Sequence, residues 1–154
     1  MGGPNSVNLT LKSCTLVPNT STADLTLLAY PYHDATGLSL QQLKALPHTS
    51  ADETYSGVRV ADILTPLGAP LGKELHGIAL TTYLVATGSD GYQAVFALAE
   101  VDRSFHPGQI LVADTMNGKR LDEHSGPLKL VVTEDKRAAR SVRNLTTIEL
   151  KAAQ

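Results

Sequence analysis

Cysteine is nearly absent from this sequence, with Cys14 standing alone among 154 residues. A single thiol excludes an intrachain disulfide and any multi-cysteine zinc or iron–sulfur centre. Tryptophan is missing and aromatic residues amount to 5%, so a core must be filled by Leu, Val, Ile and Ala. Charge is sparse as well. Lys and Arg number 13 against 15 Asp and Glu, a net charge of -2, which gives no general attraction for nucleic acid or an anionic membrane. No apolar run reaches the roughly 18–20 residues of a membrane span. The opening Met1-Gly2-Gly3-Pro4-Asn5-Ser6 has neither a basic nor an apolar signal region, so no signal peptide is expected in this chain. No long-period repeat points to a solenoid or array. Walker, G-x-G-x-x-G, G-x-S-x-G and H-E-x-x-H motifs are all missing. The five histidines, His33, His48, His76, His106 and His124, show no metal-ligand spacing.

What remains is a chain expected to form one domain over residues 1–154. Residues 7–17 and 25–30 lean towards strand, and Cys14 within the first is expected to be a small buried apolar residue. Ser39 and Gln42 form a capping-box pattern ahead of Leu40, Leu43 and Leu46, and Pro47 ends that helix. Residues 48–56 are polar and expected to be a loop. A second helix is expected over about 61–67, closed by Gly68. Strands are expected over 79–86, 93–97, 110–114, 128–133 and 145–150, with a turn at Asn117-Gly118. The expected fold class is α+β, mainly β, with a few short helices.

One stretch is chemically uneven. Between Lys129 and Arg143 lie five of the 13 basic residues, Lys129, Lys136, Arg137, Arg140 and Arg143, offset only by Glu134 and Asp135. A solvated basic face is one explanation. The other is an anion site, since arginine forks suit phosphate and the small Ala138-Ala139 pair lets a ligand approach the backbone.

The order of several short motifs resembles the molybdopterin-binding domain of the sulfite oxidase family. Met116-Asn117-Gly118-Lys119-Arg120-Leu121, followed by His124-Ser125-Gly126-Pro127-Leu128-Lys129-Leu130-Val131-Val132, is similar to the family's M-N-G-x-x-L and H-G-x-P-[LV]-R-x-V-V. Ala139-Arg140-Ser141-Val142-Arg143 resembles its A-R-S-V-K, and Asp90-Gly91-Tyr92 its D-G-Y. Gly57-Val58-Arg59-Val60 and Leu38 to Pro47 match its G-V-x-L and L-x-L-x-x-L-x-x-L-P blocks. Together the matches cover about residues 38–150. The resemblance implies a sulfite-oxidase-like fold and a cofactor-binding set of His124, Lys129, Arg140, Ser141 and Arg143. Lys129 stands where larger family members carry Arg, keeping the charge but losing the planar fork.

The resemblance breaks at the metal. Family members ligate molybdenum through a cysteine between the L-P and G-V blocks, and here that interval, 48–56, has none. Hydroxyls are poor substitutes for a thiolate. The expected cofactor is therefore molybdopterin or a related phosphorylated ligand, with no molybdenum at full occupancy. Should metal bind, His48, Ser50 and Asp52 are the replacement ligands to consider. The resemblance leaves three functions open: a non-redox domain binding a small phosphorylated ligand or a protein partner, a molybdenum-dependent oxidoreductase with an atypical ligand, and an interaction module without a small ligand. Nucleic acid and a membrane span are not expected. Exported relatives point, by analogy, to the periplasm or exterior.

Overall fold

The computed structural model describes residues 23–51 and 54–153. The expected strand at 7–17, Cys14 and Asp52 lie outside the described residues. In chain order the strands are β1 (Leu25–Leu28), β2 (Thr36–Leu38), β3 (Thr49–Ala51), β4 (Tyr55–Arg59) and β5 (Thr82–Gly88). They continue as β6 (Gln93–Ala97), β7 (Ile110–Met116), β8 (Lys119–Arg120), β9 (Lys129–Val132) and β10 (Leu145–Ala152). One sheet has the order β2-β1-β10-β5-β6. Its β1–β10 pair is parallel and the rest are antiparallel. The other runs β3-β4-β7-β8, and β9 also pairs with β7. The fold is α+β and mainly β, as expected.

Alternation drives the packing. Along β5 every second residue is buried, placing Leu84 and Ala86 inward. One buried cluster joins Leu25, Leu27 and Ile148 of the first sheet to Val58, Ile110, Val112 and Leu130 of the second. Phe96 is its largest fully buried side chain, consistent with a core of aliphatic residues. Three short helices border it: α1 (Leu40–Ala45), α2 (Val60–Leu64) and α3 (Leu98–Val101). The capping box of α1 is present. The Gln42 amide donates to Ser39 Oγ at 3.1 Å, and the Ser39 amide donates to Gln42 Oε1 at 2.9 Å. α2 runs into a 3-10 turn at Thr65–Leu67, stopped by Gly68 with φ of 84°. None of the described helices is long and apolar enough to cross a membrane.

Two expectations need correction. Residues 48–56 are a hairpin, β3–β4, rather than a loop. Its small Thr, Ser and Ala residues carry no alternation to reveal an edge strand. The strand expected from 79 begins only at Thr82, because 77–81 form a 3-10 turn. Ile78 and Leu80, which look like strand residues, face solvent there.

The second sheet is kinked at one place. On β4, Ser56 pairs with Thr115 and Gly57 with Ala113, so Asp114 is an extra residue in β7. Such a bulge bends a strand and re-aims a side chain. Asp114 is also where the other edge of β7 changes partner, from β9 to β8. Gly57 makes the kink sterically possible, since a Cβ there would stand 2.2 Å from the Val112 carbonyl oxygen and 2.5 Å from Ala113 Cα.

Urea denaturation checks both local devices. Ser39→Ala is expected to cost about 1 kcal/mol through the lost cap. Gly57→Ala is expected to cost at least the roughly 1–3 kcal/mol of an overpacked site, because backbone rather than a flexible side chain stands in the way.

Candidate anion-binding site

The basic segment is placed by β9 and by the chain that returns beside it. The Leu130 amide donates to the Val142 carbonyl and the Leu145 amide to the Leu128 carbonyl, both at 2.8 Å. This ladder lays 141–144 alongside β9. Val142 is fully buried, and a residue anchored inward sends its neighbours Ser141 and Arg143 the other way. A second tie comes from the Asp122–Gly126 turn, where the Asn144 amide donates to the Ser125 carbonyl at 2.8 Å. The Asn144 side chain also donates to the His124 carbonyl at 3.0 Å.

These ties form a cleft of about 280 Å³ lined by Asp90, Tyr92, Lys129, Ala138, Ala139, Ser141 and Arg143. Its volume is at the small end of the roughly 300–1,000 Å³ usual for ligand cavities, suited to a phosphate-sized group with part of a larger body. The Tyr92 hydroxyl donates to the Ala139 carbonyl, holding a half-exposed ring against the 138–140 turn. Asp90 turns one carboxylate oxygen towards the Tyr92 amide, at 3.0 Å. Lys129 donates to the Tyr55 hydroxyl at 3.0 Å and lies 4.9 Å from that ring's centre. Arg143 Nη1 donates to His124 Nε2 at 2.6 Å. Neither Lys129 nor Arg143 has an ion pair among the described residues.

The structure brings together Lys129, Ser141 and Arg143 of the expected set. His124 does not line the cleft but braces Arg143 from behind. Arg140 does not line the cleft either. Its guanidinium takes both oxygens of Asp135, at 2.8 and 2.9 Å, and both of Glu100, at 3.1 and 3.4 Å, and donates to the Val95 carbonyl at 3.2 Å. A guanidinium has five N–H donors, and all five are engaged. The group also lies 4.5 Å from the Phe96 ring centre, and Arg140 borders a different cavity. Its hydrogen bonds to Asp135 hold that carboxyl below the usual range, against a smaller opposing effect of burial. Sequence reasoning missed Tyr55, because its hairpin read as loop, and missed that Arg140 pairs with the nearby Asp135 and with Glu100 from a distant segment.

A second polar cluster sits at the bulge. His48 Nε2 meets Asp114 Oδ2 at 2.8 Å, and His48 Nδ1 meets the Leu46 carbonyl at 2.7 Å. Burial alone would depress the histidine. The hydrogen bonds to Asp114 and to Leu46, with the Asp114 charge, outweigh it and raise the pKa above 6.5. Asp114 is only 6% exposed, and its other oxygen has no partner among the described residues.

The family model for the oxidoreductase molybdopterin-binding domain matches residues 33–154. No curated protein matches the chain. The described donors of 48–51 and 54–57 do not fit molybdenum. The interval has no thiolate, and both ring nitrogens of His48 already face oxygen acceptors. Among the described residues no group of three His, Cys, Asp or Glu could hold a metal ion. Lys129, Ser141 and Arg143, which line one cleft, have the kinds of donor that a phosphate takes.

Arg140→Ala is expected to cost roughly 2–3 kcal/mol in urea denaturation, less than a fully buried pair because the side chain is 33% exposed. His48 makes a pH-dependent contribution. Its raised pKa means that the stabilisation is fully present below about pH 6.5 and is lost as pH rises through the folded-state value. The stability difference between wild type and His48→Gln should therefore shrink between about pH 6 and pH 9.

Proposed function

This chain belongs to the oxidoreductase molybdopterin-binding domain family, and we propose that it acts as a binding domain for a phosphorylated ligand of the pterin class, without molybdenum redox chemistry. The observation that carries this proposal is the cleft in which Lys129 and Arg143, both without a carboxylate partner among the described residues, flank the Ser141 side chain. A segment meant only for solvation would have no need of a buried Val142 and a returning ladder to aim two residues at a third.

Each residue but Asp90, whose carboxylate accepts from the Tyr92 amide, has a stated part. Arg143 presents the guanidinium donors left free by His124, and His124 fixes its direction. Lys129 adds a compact charge, kept in place by the Tyr55 hydroxyl. Ser141 supplies a hydroxyl, and the small Ala138 and Ala139 let a ligand approach the backbone. The Tyr92 ring offers a flat wall for a heterocycle beside the phosphate. When bound, a pterin cofactor with its metal would supply oxygen-atom or electron transfer. Nothing in 48–56 supplies the soft ligand that such chemistry needs.

A charge-assisted hydrogen bond contributes about 1.5–3 kcal/mol, so Arg143→Ala should weaken a molybdopterin analogue roughly ten- to a hundredfold. Calorimetric titration checks this, with His124→Ala expected to show a smaller loss. Equal binding by wild type and Arg143→Ala would remove the site. Protein purified from a host that makes the cofactor is expected to carry well under one molybdenum per chain. A near-equimolar metal signal would instead favour the oxidoreductase function.

A further inference from the structure

A second cavity of about 240 Å³ adjoins the first and shares Lys129, Ala138 and Ser141 with it. Its far side carries Lys136 and Arg137. Resting on the anion-site proposal, we infer that the two cavities are lobes of one groove that takes a ligand with two phosphate-type groups. One sits on Arg143, Ser141 and Lys129, and the other on Lys136 and Arg137.

Unequal neutralisation supports the inference. Of the five cations from 129 to 143, Arg140 absorbs two carboxylates. The other four have no ion pair among the described residues, and all four line the two lobes. Asp135 borders the second lobe, but its two oxygens accept from Arg140, a guanidinium it shares with Glu100, so part of its charge is offset. The same bidentate contact closes the loop between 135 and 140. Lys136 and Arg137, both exposed, therefore stand on a constrained loop rather than a free turn. Lys129, at the junction of the lobes and held by Tyr55, reaches the space between the two anions. Once one group is seated, the second binds as an intramolecular event, which multiplies affinity without requiring a strong second lobe.

Calorimetric titration with inorganic phosphate, pyrophosphate and fructose 1,6-bisphosphate tests this in four proteins: wild type, Arg143→Ala, Lys136→Ala/Arg137→Ala and Lys119→Ala/Arg120→Ala. The last double variant removes the same charge from β8, outside both lobes. At least one two-phosphate probe is expected to bind wild type tenfold or more tightly than inorganic phosphate. Lys136→Ala/Arg137→Ala should abolish that advantage and change inorganic phosphate affinity less than twofold. Lys119→Ala/Arg120→Ala should keep the advantage. An unchanged advantage in Lys136→Ala/Arg137→Ala, or an equal loss in Lys119→Ala/Arg120→Ala, overturns the second lobe while leaving the first intact. Absence of any binding that depends on Arg143 overturns both lobes and the proposed function with them.

Discussion

The capture of Arg140 by Asp135 and Glu100 is the interaction on which the basic half of the molecule depends. It joins two stretches far apart in sequence: the consecutive β6 and α3, through the Val95 carbonyl and Glu100, and the loop after β9, through Asp135. An arginine so placed is expensive to desolvate, and its charge is met by two carboxylates, a backbone acceptor and an aromatic face. The result is a fixed turn at 138–140. From that turn Val142 can enter the core, and Ser141 and Arg143 are left pointing outward. An arginine that reads as a ligand residue in the sequence instead anchors the turn beside the cleft.

The other constraint is the bulge at Asp114. A carboxylate on an interior strand of a sheet is costly unless it finds a partner, and the extra residue in β7 is what turns this one towards His48. Gly57 is the complement on β4, lacking the Cβ that would collide with the Val112 carbonyl. His48 in turn gives its second nitrogen to the Leu46 carbonyl just past the end of α1. The contact therefore ties α1 to the second sheet, and engages the histidine that would otherwise be the readiest substitute ligand for a metal.

Much of the fold was legible because its signals are local. The Ser39–Gln42 box, the Gly68 stop and the β6 boundaries needed only neighbours a few residues away. The hairpin at 49–59 was hidden because β3 is a short polar edge, whose pairing is decided by β4 and not by its own pattern. The site divided in the same way. That Ser141 and Arg143 lie together near Lys129 could be read from the motif. The diversion of Arg140 could not, because Glu100 lies 40 residues away in sequence. Asp135 stands five residues upstream of Arg140, but no pattern in 129–143 reveals the second acid.

The two ends of a metal–pterin site differ in how many residues they need, and that difference explains how this sequence can keep one and lack the other. An anion cradle is distributed. Here it draws on β9, the 138–140 turn, the Asp122–Gly126 turn and the Tyr92 loop, all of which also serve the fold. Such a cradle survives as long as the fold does. A thiolate ligand is a single side chain, and no strand pairing depends on it. In this chain the corresponding interval closes as a hairpin whose Tyr55 hydroxyl accepts from Lys129. The Tyr55 hydroxyl, beside the proposed anion site, thus has a protein partner. On the proposed function, what persists is the part of the ancestral site that folding itself maintains.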